Sequence, residues 1–171
     1  MHRLTINNQC YEIQDSQSDT LLSILRYQLD LIGTKQGCDK GDCGACTVLI
    51  NNKPILSCIT LAKLVDPEQN ITTIEGLNTP DGLDIIIQAF DKCGALQCGF
   101  CQPGMILSAK ALLLKNKTPN LRQIKEALSG NLCRCTGYTK IYQAVWCASL
   151  VLSHQVQNID EAVALGFSHE N

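Results

Sequence analysis

The chain changes its hydrophobic rhythm once. Up to residue 77, short apolar runs alternate with polar residues at a period near two; past residue 83, apolar positions recur about every 3.6 residues. "RLTINN" and "CYEI" read as the strands of a hairpin closed by Asn7, Asn8 and Gln9. "DSQSDTLLSILRYQL" follows as a helix capped by Ser18 or Asp19, with Leu21, Leu22, Leu25 and Leu29 as its apolar stripe. "CTVLI" and "KPILSC" form a second hairpin whose Asn51-Asn52 suits a type I′ turn, and "ITTIEG" supplies one more strand. "LNTPDG" then marks a linker.

Everything beyond reads as helix. "GLDIIIQAFDK" sets Leu83, Ile86, Ile87 and Phe90 on one face. Pro103 suits the first position of a helix through "GMILSAKALLLKN", where its missing N–H costs nothing. Thr118 and Pro119 open "NLRQIKEAL", with Leu121, Ile124 and Leu128 facing inward, and a last helix runs through "TKIYQAVWCASLVLS". The fold class is therefore α+β in two domains: a strand-rich unit at 1–77, a linker at 78–83 and an all-α unit at 84–153. The tail, 154–171, carries little pattern and is left unassigned.

Composition narrows the function. Of 171 residues, 45% are hydrophobic and 18% charged, enough apolar material for real cores. A net charge of −2 and a pI near 5.9 argue against a nucleic-acid surface or an anionic membrane. The sparse charge mildly favours a chain that lives inside a complex. "MHRLTINNQCYEI" contains no apolar run long enough for a signal peptide, and "AKALLLK" is far too short to span a bilayer. The expectation is a cytoplasmic, soluble protein. In that reducing compartment, eleven clustered cysteines point to metal rather than to disulfides.

Cys38, Cys43 and Cys46 sit at C-x4-C-x2-C spacing, and Cys58 follows after eleven residues. This is the plant-type [2Fe-2S] spacing. Two ferric ions, two sulfides and four thiolates sum to about −2, so the surrounding loop must aim backbone N–H groups at sulfur. Gly37, Gly41 and Gly44 allow that close approach. The rivals are a zinc site and three chance core thiols, but zinc loops usually pair two short cysteine units, whereas here a tight triplet precedes one distant ligand.

The second group, Cys98-x2-Cys101 and Cys133-x-Cys135, comes thirty-one residues apart as two short pairs. Spacing alone leaves both an iron–sulfur cluster and zinc open. Gly130 and Gly137 give the irregular loop that a one-residue spacing demands. Cys10, Cys93 and Cys147 read as small core hydrophobes. His2, His154 and His169 have no partner motif and read as surface residues.

"GCDKGDCGACTVLINNKPILSC", "QCGFCQPGM" and "SGNLCRCTGY" together resemble the small iron–sulfur subunit of the molybdenum hydroxylases. That family includes xanthine oxidase, aldehyde oxidoreductase, carbon monoxide dehydrogenase and 4-hydroxybenzoyl-CoA reductase. The resemblance covers roughly residues 3–153. It implies a β-grasp, plant ferredoxin-like first domain and a four-helix-type second domain, each holding one [2Fe-2S] cluster. It assigns Cys38, Cys43, Cys46 and Cys58 to the cluster nearer a flavin, and Cys98, Cys101, Cys133 and Cys135 to the one nearer molybdenum. It also places Gln97 and Cys135 against a molybdopterin cofactor; the plain alternative for Gln97 is a helix-surface amide.

The implied partners are a large molybdopterin-binding subunit, often with a cytosine dinucleotide form of the cofactor, and a medium FAD subunit. The higher assembly would be a dimer of heterotrimers. Gln102 departs from the threonine that many members carry before the proline, which leaves substrate class and subunit architecture open. No nucleophile–base or acid–base pair is visible, so the expected role is electron relay within a multi-subunit oxidoreductase. The alternatives are a free-standing two-cluster ferredoxin-like carrier and a zinc-stabilised interaction module.

Overall fold

The computed structural model describes residues 2–14, 18–78 and 82–168. It is a mixed α/β protein built on a five-stranded sheet of order β2-β1-β5-β3-β4. β1 (His2–Ile6) pairs antiparallel with β2 (Gln9–Ile13), and β3 (Thr47–Ile50) pairs antiparallel with β4 (Lys53–Leu56). β5 (Asn70–Thr72) joins the hairpins, parallel to β1 and antiparallel to β3. Both hairpin turns use paired asparagines at positive φ, Asn7-Asn8 and Asn51-Asn52. Asparagine tolerates that conformation, whose twist matches the strands it joins.

The helix over the sheet, α1, begins as one α-turn at Leu21–Ser23 and continues with π winding over Ile24–Gln28. Its N-cap is Thr20, whose hydroxyl accepts from Ser23 N–H, and not Ser18 or Asp19 as expected. The wider winding shows in Leu29 N–H donating to Ile24 O, and Ile24 is buried in the core beside Leu21 and Leu25. Residues 15–17 of the expected helical segment lie outside the described residues. Two expected strand ends are 3-10 turns instead: Ser57–Ile59 and Ile74–Leu77. In each case the chain leaves the sheet to serve a loop.

The helical part comprises α2 (Ile85–Lys92), α3 (Gln102–Lys115), α4 (Leu121–Leu128), α5 (Thr139–Leu152) and α6 (Ile159–Ala164). Asp84 caps α2 through Ile86 N–H, so Leu83 falls before the helix and is exposed rather than on its apolar face. α4 is opened by a capping box of Asn120 and Gln123 rather than by Thr118 and Pro119. Leu121, Ile124 and Leu128 are buried, as the periodicity requires. α6 occupies part of the tail left unassigned: Ile159 and Ala162 are buried against the helical core, and Lys92 pairs with Asp160 at 2.9 Å. Residues 79–81 of the expected linker, and His169, lie outside the described residues.

α3 is the hinge of the architecture. Its first eight residues, Gln102 to Ala109, are all buried because the helix lies between the other helices and β3. β3 is accordingly buried on both faces: Val48 joins the core under α1, and Leu49 joins the helical core around Phe90, Met105 and Leu107. Truncating a side chain such as Phe90 would cost about 3–5 kcal/mol. Gly44 and Gly104 meet backbone to backbone at this seam, where a side chain on either would collide.

Candidate functional site

The eight motif cysteines fall into two groups, one on each side of the seam. In the first, residues 37–46 wrap around Cys38. Its Sγ accepts the backbone N–H groups of Lys40, Asp42 and Cys43 at 3.4, 3.3 and 3.4 Å. Those donors hold the thiol down to about 7, so the thiolate a metal needs is favoured by the chain itself. Gly37 is required here by space: a Cβ would stand 2.7 Å from Cys43 Sγ. Burial pushes the Cys43 thiol up, and pushes Cys58 up to about 12, with the Cys46 sulfur beside it adding to the rise.

Cys58 reaches this loop from the 3-10 turn after β4. Ser57, fully buried, fixes that turn by donating its hydroxyl to Cys46 O at 2.7 Å. Cys38 thus lies with Cys43, and Cys46 with Cys58, with Cys38 within electrostatic reach of Cys58.

The second group is drawn from the loop between α2 and α3 and the loop between α4 and α5. Cys135 Sγ lies 3.5 Å from Cys98 Sγ, and Cys101 lies against Cys133. Burial pushes Cys101 up to about 12. At Cys133 burial pushes upward too, but the Thr136 hydroxyl at 3.3 Å and N–H at 3.5 Å, together with the Cys135 N–H and the Cys101 thiol, outweigh it and hold the thiol below its usual range. Cys135 is held up first by the neighbouring Cys98 sulfur. The loop bends through Tyr138, at φ 69°, whose hydroxyl accepts from Cys133 N–H at 2.9 Å and donates to Asn131 O at 3.2 Å.

In both groups the thiols meet as pairs. Among the described residues, no three cysteine, histidine or carboxylate side chains converge on one point as a single ion would require.

The groups are tied directly to each other. Leu132 N–H donates to Cys43 O at 2.9 Å, linking the residue beside Cys133 to a cysteine of the first loop. Asn131, 4% exposed, donates to Gly44 O at 2.9 Å and to Thr47 Oγ1 at 3.3 Å, while its Oδ1 accepts from Ser108 at 2.8 Å. Sequence reading missed Asn131, Ser57, Thr136 and Tyr138. Three of them lie inside the quoted motif "SGNLCRCTGY", which was read for its cysteines and glycines alone.

Gln97 is exposed in the loop between helices, not on a helix surface, and stands next to Cys98. Cys98 and Cys135 are exposed as well, and Leu96, Phe100 and Leu132 are 43%, 46% and 56% exposed around them. Of the cysteines outside the two groups, Cys93 and Cys147 are buried against each other. Cys10 is exposed, contrary to expectation, because it falls on the solvent face of the edge strand β2. His154 is exposed, while His2 is half-buried with its Nε2 shielded from solvent. No helix among the described residues is long and apolar enough to cross a membrane.

Two protein families match the chain. The family described as "2Fe-2S iron-sulfur cluster binding domain" matches residues 5–91, and "[2Fe-2S] binding domain" matches residues 73–146. The nicotinate dehydrogenase small FeS subunit of Eubacterium barkeri is 46% identical over 142 residues, which cover 83% of this chain and 90% of that one. The solved quinoline 2-oxidoreductase from Pseudomonas putida 86 superposes with a TM-score of 0.84 at 38% identity, covering 89% of this chain and 94% of the matched one. The aldehyde oxidoreductase of Desulfovibrio desulfuricans gives 0.88 at 39% identity. There the match covers 94% of this chain but 18% of the longer one, so the present chain corresponds to one portion of that enzyme.

Proposed function

The chain belongs to the iron–sulfur subunits of the molybdenum hydroxylases, and from that premise we propose how its residues divide the work. Its role is electron transfer within such an oxidoreductase. In our reading, residues 1–77 form a β-grasp, ferredoxin-like domain, residues 84–153 a four-helix-type domain, and each holds one [2Fe-2S] cluster. Cys38, Cys43, Cys46 and Cys58 would ligate the first, and Cys98, Cys101, Cys133 and Cys135 the second. Pairwise meeting of the thiols supports a two-iron centre, in which each iron takes two of them, over a single zinc ion. When bound, such centres supply reversible one-electron chemistry.

The observation that carries the reading is the asymmetry of the second group. It is anchored inside by Cys101 and Cys133, yet leaves Cys98, Cys135 and Gln97 exposed, with Leu96, Phe100 and Leu132 beside them in the chain exposed as well. Against Gln97 and Cys135 a large subunit would bring its molybdopterin cofactor, in the cytosine dinucleotide form. The Leu132–Cys43 hydrogen bond then connects this entry face to the first loop, from which a medium FAD subunit would collect electrons. Exposed apolar residues suit a permanent partner better than the transient docking of a free carrier, for which charge steering is the usual device. The assembly would be a dimer of heterotrimers in the cytoplasm.

The complex purified from its native cells tests this. About four irons per chain, two distinct [2Fe-2S] signals and co-purifying molybdenum are expected. Four irons without a partner would establish the free carrier, and zinc in their place would remove both readings.

A further inference from the structure

The structure assigns Gln102 as a positioning residue for the second group of cysteines, its carboxamide closing the loop that carries Gln97, Cys98 and Cys101; this rests on the electron-relay reading above. The side chain is 6% exposed, and its Nε2 donates to Ala95 O at 2.6 Å. Its backbone N–H reaches Gly99 O at 3.3 Å. One residue therefore ties both the start and the middle of the 95–101 loop to the first turn of α3.

The loop needs such a tie. α2 ends at Cys93, Gly94 turns the chain at φ 64°, and Ala95 is then fully buried outside any helix. Ala95 N–H is satisfied by Phe90 O at 2.9 Å, but its carbonyl has left the helical ladder and takes its donor from Gln102. A buried carbonyl without a donor costs free energy. Two residues on, the chain emerges at Gln97 and Cys98, so any slack at Ala95 is passed to the exposed face.

The amide works at a visible cost. Gln102 Oε1 is buried and has no hydrogen-bond partner among the described residues. Turning the amide over would set oxygen against the Ala95 oxygen, so the orientation is fixed by the carbonyl it serves. An apolar residue of the same length would avoid the orphaned acceptor and fill the same space. What it would not supply is the bond to Ala95. Gln102 touches neither the substrate nor the partner's cofactor on this account. It acts through the backbone beside them.

The test uses the whole complex with Gln102→Met, which keeps length and volume, and Gln102→Asn, which keeps the amide but is one methylene short of Ala95. In both, the second centre's EPR g-values and midpoint potential should move while the first centre's stay fixed. Substrate-driven reduction of the flavin should slow by less than the roughly tenfold that losing a direct outer contact to a ligand costs. Leu107→Ala in the same helix is the packing control; it should lower Tm and leave both EPR signals in place.

Unchanged second-centre EPR and potential in Gln102→Asn would overturn the assignment. So would the same EPR change in Leu107→Ala, since general loosening would then suffice. Absence of a second [2Fe-2S] signal in the unmodified complex would instead remove the relay reading beneath it.

Discussion

The two cysteine groups share a ligand count and differ in who encloses them. Around the first, the chain supplies its own shell: three backbone N–H groups on Cys38, a buried serine locking Cys58's turn, and Cys46 and Cys58 sunk below the surface. Around the second, the inner half is braced by Thr136 and Tyr138, but Cys98 and Cys135 stand in the open. A site finished by its own loop can be tuned by that loop alone. A site left open on one side has its burial, and with it part of its redox behaviour, set by whatever covers it. On the proposed assignment, one group is enclosed by its own chain and the other is left for a partner to cover.

The sharpest way to break that comparison is Cys135→Ser. It should reduce substrate-driven flavin reduction by at least about a hundredfold, since on the proposed assignment a ligand is lost rather than an outer contact. The first centre's EPR signal should persist; its disappearance would mean the groups do not load separately. Gly37→Ala attacks the other side. A Cβ 2.7 Å from Cys43 Sγ must displace a ligand, so iron should fall to about half per chain, with the first signal lost and the second kept.

Asn131→Ala addresses the tie between the groups. It strips donors from Gly44 and Thr47 and an acceptor from Ser108, all in the buried seam. A loss of about 3 kcal/mol is expected, seen as a Tm lower by roughly 6–12 °C in thermal unfolding. A shift under one degree would show that the seam does not couple the two parts. Gln97→Ala should have the smallest effect: unchanged iron and Tm, with molybdenum retention reduced by a few-fold when the complex is desalted and assayed for metal. Full retention would remove Gln97 from the cofactor contact.

Much of this was readable beforehand where the signal was local. Leu121, Ile124 and Leu128 recur at helical spacing and are buried; the paired asparagines predict their turns directly. α6 was also within reach, since Asn158 accepts from Glu161 N–H and Asn-x-x-Glu is a helix-start pattern. Cys10 is exposed because it lies on the solvent face of β2, alternating with the inward Tyr11 and Ile13, which the alternation along the strand could have shown. Other features depend on winding or distance. The π winding of α1 over Ile24–Gln28 is a feature that no periodicity of 3.6 anticipates, although Ile24 itself falls on the helical stripe with Leu21 and Leu25. Asn131 looks like any loop asparagine until its partner Gly44 arrives from 87 residues upstream.

That separation sets a schedule for biosynthesis. Gly44 and Cys43 leave the ribosome 87 residues before Asn131, which at about 5–20 residues per second is a wait of roughly 4 to 17 s. During that interval the first loop lacks the backbone and amide contacts that later close over it, and its thiols are reachable by solvent and oxidant alike. The donors to Cys38 and the Ser57 contact are in place by then, but the seam against Gly44 and Cys43 closes only after the second loop has been made. A nascent chain stalled before residue 130 would carry the first cysteine loop and its own donors without that seam.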